Sequence, residues 1–268
     1  MTLIQKMKKI SIRGITITLD ELPGEKELIV FIHGVGADRT SWKFQLPYFN
    51  SLGFHVVALD MRGSGDSDAR DTSGKLLQIT LTEFAKDVDA MIKELGYRKA
   101  HWIGNSMGGV IILEAFQLGL DSIDKIVLGN TFAKHPDSEV ILPRAARALK
   151  SKTLLEFAHE RIPLVYKPDI DSETLEEGIY AMARKDSEAY LASWQATWSP
   201  NMRSILSKIK NPALIISGSL DNITPTTLSE ELHRDIAGSE LIVIEGAGHI
   251  AHADQPEEYN TAVKEFLC

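Results

Sequence analysis

The chain contains a single cysteine in 268 residues, and it is the last one, Cys268. One thiol closes no internal disulfide, so a disulfide-stapled scaffold is excluded. With no Cys/His cluster at metal-ligand spacing, no metal site is expected either. Long apolar runs are also missing: none approaches the roughly 18 residues needed to span a bilayer. The opening stretch MTLIQKMKKISIRG lacks the apolar core of about 7–15 residues that marks a signal peptide. These absences predict a reduced, cytoplasmic protein with no membrane partner. Nor is there an excess of positive charge, since 29 Lys and Arg face 37 Asp and Glu for a net charge of −8. Gripping a phosphate backbone needs a basic face, so nucleic acid is not an expected partner. Repeats, low-complexity tracts and charge blocks are absent, and nothing in the sequence sets an oligomeric state.

What is present is ordinary globular composition, 44% hydrophobic and 25% charged, which excludes disorder, collagen-like repeats and coiled coil. The length suits one large α/β domain, or one with an insertion, and buries enough surface for a core. Lys9–Leu19 alternates apolar and polar residues around Gly14, the pattern of a hairpin with one buried face. Glu27–Ile32 is a continuous apolar run, as in a parallel strand covered on both faces. The same pattern recurs at His55–Leu59, Ala100–Ile103, Lys125–Leu128, Ala213–Ser217 and Glu240–Ile244.

Helical segments lie between these runs. Thr80-Leu81-Thr82-Glu83 has the spacing of a capping box and opens a helix with Phe84, Val88, Met91, Ile92 and Leu95 on one face. Thr224-Pro225 opens another, which Gly238 ends. Strands alternating with helices predict a parallel sheet covered by helices on both faces. From Phe132 to Lys210 the alternation stops and only helical patterns remain. The expected organisation is therefore a core of residues 1–131 and 211–268, with residues 132–210 inserted as a helical lid.

The chemistry centres on Gly104-Asn105-Ser106-Met107-Gly108. This G-x-S-x-G stands between a predicted strand and a predicted helix, the context in which a serine sits exposed at the tip of a sharp turn. Small residues two positions either side let strand and helix cross closely. A hydroxyl is a weak nucleophile without a base, and the base needs an orienting carboxylate. Asp221 follows the ALIISG strand and His249 follows ELIVIEGAG, giving the order Ser106, Asp221, His249. Asp221 read alone is equally a turn or cap residue. His33, His101 and His252 compete with His249, but only His249 follows the last strand within a Gly-rich turn; His33 is better placed to tie down its own loop. An acid after Lys125–Leu128 would be an alternative, yet Asn130-Thr131 stands there. Backbone N–H groups of Met107 and, by position in the His33-Gly34-Val35-Gly36 loop, of Val35 are expected to bind an oxyanion.

These segments, together with Trp42, Asp60-Met61-Arg62-Gly63-Ser64-Gly65-Asp66-Ser67, SLDNITP and GAGH, closely resemble the α/β-hydrolase superfamily over almost the whole chain. The resemblance implies an α/β-hydrolase fold, with a mostly parallel eight-stranded sheet flanked by helices, a Ser-Asp-His triad and a helical cap after the sixth strand. Arg62, Gly63 and Gly65 then fall in a structural loop near the site. The C-terminal third is similar to 3-oxoadipate enol-lactonases and small carboxylesterases, which implies a small-molecule ester or lactone as substrate and no cofactor. The GNSMGG turn looks equally like hydrolases that cleave carbon–carbon bonds of meta-cleavage products. Those usually carry Trp after the catalytic His, where this chain has Ile250, and an Arg in the cap, for which Arg184 and Arg203 are available. Cofactor-free haloperoxidase-type perhydrolases share the triad, and non-enzymatic receptors share the lidded pocket but often lose a triad member. Trp194 and Trp198, four apart on a helical pattern, are candidates with Ile250 for lining the pocket, although such a pair is also a common packing face.

Overall fold

The computed structural model describes residues 6–268. Eight strands form one sheet: β1 (Lys6–Ile12), β2 (Ile15–Leu22), β3 (Leu28–Ile32), β4 (His55–Leu59), β5 (Ala100–Asn105), β6 (Ile123–Gly129), β7 (Ala213–Gly218) and β8 (Glu240–Ile244). Their order is β1-β2-β4-β3-β5-β6-β7-β8. Only β2 runs antiparallel to its neighbours. The β1–β2 hairpin turns on Arg13 and Gly14, both at positive φ, the conformation that a two-residue turn needs to match the strand twist.

The helices are α1 (Gln45–Ser51), α2 (Leu81–Glu94), α3 (Met107–Gln117), then α4 (Ser138–Ala148), α5 (Leu154–Arg161), α6 (Ser172–Ala183), α7 (Ser187–Trp198) and α8 (Arg203–Leu206), followed by α9 (Thr226–Asp235), α10 (Ala251–Asp254) and α11 (Pro256–Leu267). None among the described residues is long and apolar enough to cross a membrane. Strand alternation divides the core between the two faces of the sheet. Leu28, Val30 and Ile32 join the cluster under α2 and α3, while Ile29 and Phe31 join the one under α1 and α11. Burial on both faces is what makes β3 and β4 continuous apolar runs.

Two local expectations need correction. The Glu240–Ile244 run is the edge strand, and Val243 is 44% exposed; an apolar run marks a strand but does not say whether another lies beyond it. At α2, Thr80 Oγ1 accepts from Glu83 N–H (3.2 Å), but the Glu83 carboxylate turns to Arg13 (2.8 Å) and Arg62 (3.3 Å) instead of returning to the cap. Two guanidinium groups outcompete one exposed backbone N–H. A complete capping box occurs instead at Thr153 and Glu156, opening α5.

Helices α4–α8 all fall between β6 and β7. They are fastened to the loops at the C-terminal ends of the strands by ion pairs: Arg184 to Asp38 (2.6 Å) and Asp66 (2.9 Å), Glu177 to Lys43 (2.5 Å), and Asp186 to Arg70 (2.9 Å).

Candidate active site

The site lies where the strand order changes direction, beyond the C-terminal ends of β3 and β5, as open α/β sheets favour. Ile32 on β3 is paired with Gly104 on β5, so the loops that follow emerge side by side. A Cβ added to Gly34 would stand 3.2 Å from the Ser106 Cβ.

Ser106 forms the turn between β5 and α3 with φ +53° and ψ −115°. An L residue holds such a conformation only when its surroundings over-determine it. Here Ser106 N–H donates to Gly129 O (2.9 Å) and Thr131 Oγ1 donates to Ser106 O (2.7 Å). The glycines are needed for the crossing: a Cβ on Gly104 would run into the backbone of Gly108, and one on Gly108 into Ile32 O. Met107 opens α3, and Val35 borders the same cavity as Ser106.

His33 supports that loop from below. Its Nε2 accepts from Met61 N–H (3.1 Å), which leaves Nδ1–H to donate to Gly34 O (2.8 Å). Burial, reinforced by nearby Lys185, lowers its pKa to about 3, so the ring stays neutral and keeps this pattern.

Asp221 sits in the turn after β7 and is both a turn residue and a partner of histidine. Its Oδ1 accepts from the N–H groups of Ile223 (2.8 Å) and Thr224 (2.9 Å). Its Oδ2 accepts from Thr224 Oγ1 (2.6 Å), Asn130 Nδ2 (2.8 Å) and His249 Nδ1 (2.9 Å). Burial pushes the carboxyl pKa up, but His249 and the Thr224 hydrogen bonds outweigh it and hold the value at about 2. An ionised Asp221 only accepts, so Nδ1 of His249 carries the proton and Nε2 is left as a lone-pair acceptor. His249 and Ser106 border one cavity.

Asn130 escaped notice as more than the absence of an acid. It stands at positive φ after β6, and its Nδ2 donates both to Asp221 and to Gly248 O (3.2 Å). It thus ties the Asp221 turn to the His249 loop. Of the competing histidines, His101 lies on β5 beside Asp124 (3.3 Å). His252 borders the cavity and stacks on Trp42, with centroids 3.9 Å apart. Neither ring nitrogen of His252 has a hydrogen-bond partner among the described residues.

Trp194, Trp198 and Ile250 all border the cavity. The two indoles are also a packing pair, with centroids 5.4 Å apart, so both uses of that spacing coexist. The cap arginines singled out from the sequence are engaged elsewhere: Arg184 binds Asp38 and Asp66, and Arg203 binds Glu231 (2.6 Å). Instead Arg161, at the end of α5, borders the cavity with its guanidinium 5.9 Å from the Trp194 ring centroid. Burial lowers its pKa, against the opposing pull of Tyr190 and Asp221. Among the described residues no carboxylate is paired with it. Nothing in the helical segment that ends LEFAHERIP set this arginine apart. Arg62, by contrast, is structural, with its guanidinium held by Asp87 (2.6 and 2.8 Å).

A strained serine turn on such a sheet, with helices inserted between its sixth and seventh strands, defines a class. Residues 27–256 match the model of the alpha/beta hydrolase fold, and the chain belongs to that family of enzymes. The chain is 30% identical to 3-oxoadipate enol-lactonase 1 of Acinetobacter baylyi, over 88% of this chain and 87% of that one. It is 28% identical to the 2-hydroxy-6-oxononadienedioate/2-hydroxy-6-oxononatrienedioate hydrolase of Klebsiella pneumoniae, over 96% and 92%. The crystal structure of the enol-lactonase from Burkholderia xenovorans superposes with a TM-score of 0.88 at 26% identity, covering 97% of this chain and 99% of that one.

Proposed function

We propose that this chain hydrolyses a small carboxylic ester or lactone by acyl transfer through Ser106, with residues 132–210 acting as the lid over the bound substrate. The observation that carries the reading is the ionised Asp221 bonded to His249 Nδ1, with His249 and Ser106 at one cavity. In the first step His249 Nε2 takes the Ser106 proton as Oγ attacks the carbonyl carbon. Asp221 keeps the ring oriented and stabilises its positive charge. The N–H groups of Val35 and Met107 receive the developing oxyanion, helped by the N-terminus of α3. Collapse expels the alcohol, or opens the lactone ring, with the proton returned from His249. Water then attacks the acyl-enzyme, with His249 as base, and releases the acid. This chemistry needs no metal or organic cofactor.

Arg161 supports a substrate bearing a carboxylate, because a cavity-lining guanidinium without an acidic partner is a ready site for one. Trp194, Trp198 and Ile250 would hold the apolar remainder. Carbon–carbon cleavage of a vinylogous diketone is the second reading. It is favoured by the likeness to the Klebsiella pneumoniae hydrolase and compatible with Arg161, but Ile250 replaces the Trp expected after the histidine.

The test is turnover of p-nitrophenyl acetate, butyrate and octanoate, of an enol-lactone and of a vinylogous diketone, by the wild type and by Ser106→Ala. Ester or lactone turnover that falls by about ten-thousand-fold or more in the variant is expected. Cleavage of the diketone alone would transfer the proposal to the second reading. Turnover that survives Ser106→Ala would overturn both.

A further inference from the structure

The loop that carries His249 exposes four backbone polar groups at Gly248 and His249, and each has a partner. The two carbonyls are held from the core: Gly248 O by Asn130 Nδ2 (3.2 Å) and His249 O by Asn105 Nδ2 (3.4 Å). The two N–H groups are held from the other side. His249 N–H donates to Val165 O (2.8 Å), in the segment that joins α5 to α6. Gly248 N–H donates to Asp254 Oδ2 (2.7 Å). That same carboxylate oxygen accepts from Lys167 N–H (3.1 Å). One oxygen therefore binds the histidine loop, at the residue before His249, and the inserted helical segment together.

The packing at this joint is close. A Cβ on Gly248 would stand 3.0 Å from Asp254 Oδ2, 3.0 Å from Tyr166 C and 3.1 Å from Lys167 N. Asp254 itself is 3% exposed. A buried carboxylate is costly to keep, and this one takes no part in the acyl-transfer steps.

We infer that Asp254 is a positioning residue: it locks the His249 loop to the segment Val165–Lys167, so that the histidine is correctly aimed only while that segment is seated. Seating the inserted helices and arming the base are then one event. This inference rests on His249 being the base of the proposed reaction, but the mechanical link is measurable without any substrate. A displacement of about 1 Å in a catalytic group can cost about a hundredfold in rate, so a loosened joint is read in kcat.

Three variants separate the possibilities. Asp254→Ala removes the shared acceptor, Asp254→Asn keeps an oxygen that can accept both N–H groups, and Gly248→Ala wedges the two segments apart. Hydrogen exchange of the full-length protein is measured first. In Asp254→Ala, the amides of Gly248 and His249 and that of Lys167 are expected to exchange about tenfold faster or more, together, with the rest of the sheet unchanged. Steady-state kinetics on the best ester or lactone follow. Asp254→Ala and Gly248→Ala are expected to lower kcat by about ten- to a hundredfold with KM changed less than about threefold, and Asp254→Asn to recover most of the rate. If Asp254→Ala does not fold, Gly248→Ala and Asp254→Asn carry the test by the same readouts. Unchanged exchange at Gly248 and His249, or loosening of Lys167 alone, would overturn the link. A loss expressed in KM, or one that Asn does not restore, would overturn the positioning role. If no substrate is turned over but the exchange result holds, the reading of function fails and the joint stands.

Discussion

At the scale of single residues, the site is built from donors aimed at carboxylates, and the two buried acids beside His249 are handled in opposite ways. Asp221 has enough donors to stay ionised, with its pKa held at about 2 against the pull of burial. For Asp254 burial wins over the N–H groups of Lys167 and Gly248, and its pKa rises to about 6. A carboxyl whose folded pKa lies above its unfolded value contributes stability that is complete below about pH 4 and is lost as pH rises through about 6. Asn does not titrate. The stability of Asp254→Asn relative to wild type should therefore improve between about pH 4 and pH 7, by up to about 3 kcal/mol, and then level off. Denaturant unfolding at several pH values checks this, and a difference that does not vary with pH would contradict it. Arg161 makes the other residue-level prediction. Replacing it by Gln should raise KM about tenfold or more for a substrate carrying a carboxylate while leaving a neutral p-nitrophenyl ester nearly untouched. Equal effects on both would remove the carboxylate from the account.

The three residues proposed for the chemistry share one property legible in the sequence: each stands in the turn after a strand. Ser106, Asp221 and His249 do so; Ser106 and His249 border one cavity, and Asp221 is bonded to the Nδ1 of His249. The roles of Asn130, Arg161 and Asp254 were not legible there. Asn130 matters because β6 lies beside β7, which places it against the Asp221 turn. Arg161 matters because α5 ends over the cavity, and Asp254 because a distant segment crosses the histidine loop. Those are facts of tertiary placement, and no local pattern encodes them. The histidine-loop Gly248 likewise reads as turn punctuation, whereas its close neighbours are Tyr166 and Lys167.

At the scale of elements, the strand–turn–helix unit from β5 to α3 is the most demanding part of the fold. Its strain at Ser106 is maintained because Gly104 and Gly108 let the helix cross the strand ends at backbone contact. Gly104→Ala should destabilise the protein by about 3 kcal/mol or more, since the obstacle is backbone and cannot repack. Thermal unfolding measures this, and a Tm within a degree or so of wild type would mean the crossing is looser than described. Element types were legible here because periodicity is local. Elements whose behaviour depends on a remote partner were misjudged. The apolar run of β8 gave no sign that it is an edge, and the box expected at Thr80 is undone by Arg13 and Arg62 reaching for Glu83.

At the scale of the whole molecule, helices α5–α7, the α5–α6 connection and the strand-end loops together line the cavity. Arg184 joins them at Asp38, just beyond the Gly34–Gly36 turn, and Val165 joins them at His249. Both loops proposed to do chemistry are therefore touched by the inserted segment. The sequence interval with no strand pattern gave no sign of these attachments.

Everything proposed for the reaction depends on Ser106 becoming acylated. Acylation is tested most directly by mixing the full-length protein with excess p-nitrophenyl acetate and following nitrophenolate release before the steady state, with intact and peptide mass measured on quenched samples. Release in proportion to enzyme and a transient gain of one acetyl group located on Ser106 are expected, with neither signal in Ser106→Ala. Steady turnover of the ester with no acetyl group on Ser106 at any time, or an adduct that persists on another residue in Ser106→Ala, would contradict that expectation.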